Sequence, residues 1–161
     1  MGAQLISNPL NAFGQPTPQI QGSNPMQNEK NTIALVNAAT TDLQYGDVVV
    51  VDVTGTLGNT TTTSGDLTVI GVVAQDPFLM STTRDVVSTS VATMNVVVQG
   101  VARVFIGTNT VTTGQPLIAS STARQAFASA TPAAGTAFAV SLESSTSKDS
   151  ASTIRCLIKS F

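Results

Sequence analysis

The chain has no histidine and no tryptophan, a single cysteine and a single tyrosine, and only 10% of its 161 residues are Asp, Glu, Lys or Arg, against about a quarter in an average domain. Each shortage closes off a class of function. Without histidine, the commonest general base and the commonest metal ligand are gone, and one cysteine cannot supply a zinc site of the ordinary kind. Cys156 alone also excludes an intrachain disulfide framework. The seven Lys and Arg are scattered and the net charge is −2, so the basic footprint of a nucleic-acid binder is missing. No run approaches the roughly 18 apolar residues of a membrane span, and no basic and then apolar leader opens the chain. "MGAQLI" begins like a myristoylation site but places Ile6 where the hydroxyl residue belongs. These absences predict a chain with no cofactor, no metal, no nucleic acid and no membrane partner, assembled in a cytoplasm.

Catalytic patterns are equally scarce. Neither G-x-x-x-x-G-K-[ST] nor G-x-G-x-x-G occurs. Ser145 and Lys148 satisfy a bare S-x-x-K, but in "ESSTSKDSAS", a hydrophilic turn without the helix that would desolvate the lysine. Asp47 and Asp52 flank four valines at an odd spacing that points them to opposite faces, so they read as strand-end solvators. Asp76, Asp85, Glu143 and Asp149 lie in or beside loops, "NTT" at Asn59 reads as a turn, and Cys156 falls on an apolar parity as a small core residue. No catalytic residue is expected, and the chain reads as a non-enzyme.

What is abundant is hydroxyl: Ser and Thr make up roughly a quarter of the residues, a neutral, β-compatible surface. Residues 1–31 form one region, with Pro9, Pro16, Pro18 and Pro25, many Asn and Gln, and no charge before Glu29 and Lys30. Repeated prolines fix φ and remove donors, which predicts an extended arm. Leu5, Ile6, Leu10, Phe13 and Ile20 are spaced along it as anchors for a neighbouring subunit or shell, with Pro16 and Pro18 lowering the entropy lost on ordering.

Residues 32–161 read as β throughout. "MNVVVQGVARVFIG" places Met94, Val96, Val98, Ala102, Val104 and Ile106 on one parity, a bend or bulge at Gly100, and Asn95, Gln99 and Arg103 on a wetter face. "GTAFAVSL" puts Phe138, Val140 and Leu142 on one side and small residues on the other, and "TIRCLIKS" alternates Ile154, Cys156 and Ile158 with Thr153, Arg155 and Lys159. "DVVVVDV" is apolar on both parities, as a strand covered on both faces should be. "STARQAFASA" is the best helical candidate, or one side of a hairpin.

A shift of 68 positions lays "TIALVNAATTDLQYGDVVVVD" on "GVARVFIGTNTVTTGQPLIAS" without a gap, pairing Ile33 with Val101, Val36 with Val104, Gly46 with Gly114 and Val49 with Leu117. The same offset brings "TVIGVV" onto "TAFAVS". Two separated blocks sharing one offset indicate similar β units starting near 32 and 100. Their glycines permit backbone conformations costly for other residues, and Pro116 opens its strand where a missing donor is tolerated. The hydroxyls of "TVTTGQPLIASS" are turn and strand-surface residues by this reading.

With the neutral arm, "YGDVVVVDVTG", "LTVIGVVAQDP", "VVVQGVARVFI", "TTGQPLIAS" and "GTAFAVSLES" in that order, the chain resembles the small β-rich decoration, or cement, proteins of tailed-phage capsids over most of residues 44 to 143. The resemblance implies an all-β barrel or β-tulip domain, commonly a homotrimer, on the outer surface of the virion, with the arm clamping neighbouring major capsid protein subunits. It carries over no catalytic residue. Leu5, Ile6, Leu10, Phe13, Pro16, Pro18 and Ile20 are the expected partner-binding residues. The other reading is a carbohydrate- or receptor-binding β module of a phage fibre or surface protein, which usually exposes aromatic platforms; here Trp is absent and Tyr45 is the single tyrosine.

Overall fold

The structure is a computed structural model that describes residues 31–52, 57–74, 84, 86–145 and 151–159. The described residues form eleven strands and no helix: β1 (Asn31–Asn37), β2 (Leu43–Gln44), β3 (Val48–Val51), β4 (Leu57–Asn59), β5 (Val69–Val73), β6 (Val86–Ser88), β7 (Thr93–Phe105), β8 (Pro116–Ala119), β9 (Ala126–Ala128), β10 (Ala139–Ser141) and β11 (Thr153–Ile158). β1 pairs with β4 on one side and β7 on the other, so the ring β1-β4-β3-β5-β7 closes into a five-stranded barrel. The sheet then continues from β7 through β11, β10, β8 and β9. β2 and β6 make a separate two-stranded ribbon.

The two units share a register. Val48 faces Val72 and Val49 faces Gly71; 68 positions on, Pro116 faces Val140 and Leu117 faces Ala139. Val50–Asn59 and Val51–Gly58 become Ile118–Phe127 and Ala119–Ala126. Val97 opposite Val72 and Val96 opposite Val73 reappear as Leu157 opposite Val140 and Cys156 opposite Ser141. The turns also match. Gly46 donates its N–H to the Val73 carbonyl as Gly114 does to Ser141. The Gln44 N–H donates to the Asp47 carboxylate at 2.8 Å, and the Thr112 N–H to the Gln115 side-chain carbonyl at 2.7 Å. Gly46 and Gly114 both sit in the left-handed region, at φ 82° and 86°.

β7 belongs to both units. Its first half closes the barrel against β1 and β5, its second half pairs with β11, and Gly100 at φ 104° lies between them beside the bulge opposite Asn31 and Thr32. Met94, Val96, Ala102, Val104 and Ile106 are buried, as their parity predicts, whereas Val98 is only half-buried. Arg103, expected on the wet face, is buried: its guanidinium donates to the Thr153 carbonyl at 3.3 Å and reaches Glu143.

Two clusters make the core. Leu35, Ala39, Leu43, Val49, Val73, Met94 and Val96 fill the barrel. The larger cluster packs the barrel's outer residues Val48, Val50, Val72 and Val97 against the inner face of the second unit, including Ala102, Val104, Leu117, Phe138, Ile154, Cys156 and Ile158. Val48, Val49 and Val50 are covered on both faces because one face looks into the barrel and the other into the second sheet, whereas Val51 is exposed. "STARQAFASA" contributes β9, in a hairpin with β8. The "GTAFAVSL" parity runs the other way from its size pattern: Phe138, Ala139 and Ser141 are buried while Val140 is half-exposed and Leu142 exposed.

The paired turns give a direct comparison. A Cβ on Gly46 would lie 3.2 Å from the Arg103 carbonyl and the Phe105 nitrogen, whereas one on Gly114 meets nothing within 4 Å. Gly114→Ala should cost about 1 kcal/mol from backbone strain alone and Gly46→Ala about 2–4 kcal/mol. Urea unfolding of the two variants checks the order.

Candidate interaction surface

The expected partner-binding residues, Leu5, Ile6, Leu10, Phe13, Pro16, Pro18 and Ile20, all lie outside the described residues, as does Lys148 of the S-x-x-K pattern. Ser145 holds the neighbouring segment: its hydroxyl accepts from the Val111 N–H at 3.1 Å, and its own N–H donates to the Val111 carbonyl. The other hydroxyls of that region do similar work. Ser141 donates to the Thr112 carbonyl at 2.6 Å, Ser144 accepts from the Thr113 N–H, and Ser120 accepts from the Thr122 N–H. Among the described residues no cluster of His, Cys, Asp or Glu could hold a metal, and no helix is long and apolar enough to cross a membrane. A depression of about 250 Å³ is lined by Tyr45, Ala74, Thr93, Met94 and Asn95, without a carboxylate or a cation. Tyr45 packs against the barrel core.

Asp47 departs most from its expected role. It is wholly buried and ion-paired with Arg84, whose guanidinium lies 3.4 Å from the centroid of the Phe105 ring. Arg84 also donates to the Tyr45 carbonyl, and Gln44 returns a bond to the Arg84 carbonyl. Burial, with the charge of Arg124 adding to it, lowers the Arg84 guanidinium to about 10, so it is still a cation at neutral pH. In the second unit neutral Gln115 takes the place of Asp47 in holding the same turn. The Asp47–Arg84–Phe105 group fastens the first turn to the end of β7 and is structural. The Cys156 thiol is fully buried, and burial, reinforced by Glu143, pushes its ionisation up and out of reach.

Strand pairing assembles an unexpected surface. Val101 faces Leu157 across β7 and β11, Leu157 faces Val140 across β11 and β10, and Val140 faces Pro116 across β10 and β8. Directly opposed residues share a face, so these four form one apolar row across the outside of the second unit. Leu157 is 42% exposed, Leu142 beside the row is 43% exposed, and Val101, Val140 and Pro116 are half-buried. One end of the surface is polar: Arg103 and Arg155 are cross-strand partners, and the Glu143 carboxylate accepts from the Arg155 Nε at 2.8 Å and lies 3.5 Å from the Arg103 Nη1.

The internal repeat gives this row its meaning. Pro116, Val140, Leu142 and Leu157 correspond to Val48, Val72, Ala74 and Val97, all of which belong to or pack against the larger core cluster. The face that the first unit buries is the face that the second unit leaves open. The offset of 68 carries Val48 to Pro116 and Val72 to Val140, so the signal was present in the sequence, but burial of the first row could not be read there.

No protein-family model matches the chain, and no curated relative does. Solved structures that share its fold include two from phages. The N base of head fibre gp8.5 of bacteriophage phi29 is 9% identical over 80% of this chain and 95% of that one, with a TM-score of 0.50. A chain from the capsid of Myoviridae phage XM1 is 18% identical over 84% of this chain and 86% of that one, with a TM-score of 0.56. At these identities the likeness is one of fold.

The corresponding rows should respond differently to charge. Val72→Asp and Val97→Asp place a carboxylate in the shared core and should cost at least about 3–5 kcal/mol. Val140→Asp and Leu157→Asp should cost less than about 1 kcal/mol, and thermal melting of the four variants checks the contrast. Removing the bridge between the arginines by Glu143→Gln should cost about 1–2 kcal/mol, because Glu143 and Arg155 are half-exposed while Arg103 is buried, and the loss should shrink in high salt.

Proposed function

We propose that the chain is a structural virion protein that decorates the outer surface of a phage capsid and stabilises it by binding across neighbouring major capsid protein subunits. The observation that supports this reading is a fold shared with a phage head-fibre base and with a chain from a phage capsid, in a sequence that already resembles capsid decoration proteins in the order of its strands. A hydroxyl-rich β body without histidine suits a binding role better than a chemical one.

In this proposal the body is a rigid platform and residues 1–31 are the gripping element. Leu5, Ile6, Leu10, Phe13 and Ile20 are the anchors, each contributing on the order of 1.5–3 kcal/mol if fully buried, with Pro16 and Pro18 holding the segment extended. Anything that binds the assembled shell and not its dispersed subunits stabilises the shell by linkage. A homotrimer multiplies that effect, because one docked arm raises the effective concentration of the others.

Deletion of residues 1–28 should leave a body that melts cooperatively and no longer binds or stabilises capsids. Co-sedimentation with purified shells, together with shell melting temperature, reads the outcome. Binding of the truncated body at full-length affinity would overturn the gripping role.

A further inference from the structure

We propose that the apolar row Val101–Leu157–Val140–Pro116 is the seat of the root of the chain's own N-terminal segment, taking Met26 and leaving Leu5, Ile6, Leu10, Phe13 and Ile20 free to reach a partner. The proposal holds whether or not that partner is a capsid.

The point where the described chain begins supports it. Asn31 is paired with Gln99, Ile158 with Gly100 and Leu157 with Val101. The preceding segment therefore enters the body two residues along β7 from the row, a distance of about 7 Å. Met26 stands five residues before Asn31, a stretch that spans up to about 17 Å when extended. The row crosses four strands, about 14 Å from end to end. Met26 has the reach to lie on it.

Charge selects this occupant over a second copy of the body. The row is edged by Arg103, Arg155 and Glu143, with Lys159 following β11. Two such faces packed together would set like guanidinium groups against each other. Residues 1–28 carry no charged side chain, and Glu29 and Lys30 follow them directly before Asn31. The repeat shows what such a face accepts, since its counterpart Val48, Val72 and Val97 is covered by aliphatic side chains.

A spin label tests this on the full chain. Cys156 is buried, so a thiol introduced as Gln27→Cys takes the label selectively. When every chain carries both the label and isotope-labelled methyls, the signals of Val101, Val140 and Leu157 should be lost. They should persist when spin-labelled chains are mixed with isotope-labelled chains lacking the spin label. Persistence in the first sample, or loss in the mixture, which would mean a segment or body from another copy, overturns the proposal. As a second measurement, Val140→Asp with Leu157→Asp should speed amide exchange around Met26 by at least about tenfold; unchanged exchange overturns it too.

Discussion

The structure rests on the burial of one sheet face inside another part of the same chain. Val48, Val72 and Val97 stand on the outside of a closed barrel, a position that would normally face water, and are covered by the inner face of the second unit. Full burial of each valine contributes on the order of 1.5–3 kcal/mol, and it also fixes the angle between the units. A closed barrel removes its own edges. What joins it to the open sheet is this packing together with β7, which is continuous through both.

The polar features serve that joint. Asp47 and Arg84 are withdrawn from water next to Phe105, at the end of β7 where the first turn docks. A buried pair of this kind adds little net stability over an apolar filling but costs several kcal/mol when one partner is removed. Its effect is to fix one docking position. Among the described residues nothing crowds the second turn at Gly114 as Arg103 and Phe105 crowd Gly46, and neutral Gln115 caps it. The difference between the repeats thus follows from which one bears on the other.

Much of the fold was legible from parity and spacing. Ile154, Cys156 and Ile158 face the core as their alternation predicts, Gly46 and Gly114 adopt the left-handed backbone expected of them, and the offset of 68 reappears as a common register. What escaped the sequence depends on contacts between distant residues. Asp47 looked like a strand-end carboxylate because nothing in "GDVVVVD" announces Arg84. Arg103 looked exposed because its partner Glu143 is 40 residues away. The size alternation of "GTAFAVSL" did not say which side faces the core: Val140 and Leu142 lie on the outer face, and small Ala139 and Ser141 fit against the neighbouring strands inside. The segment bearing the expected anchors lies outside the described residues, so the surface identified on the body comes from the repeat and from strand pairing.

A tandem of two like units joined face to back can satisfy only one of its two equivalent faces internally. The molecule therefore has a front and a rear by construction, even though the halves repeat one pattern. Such inherent polarity lets a nearly neutral protein be read in a single orientation by whatever it meets, without an electrostatic code to specify which way round it sits.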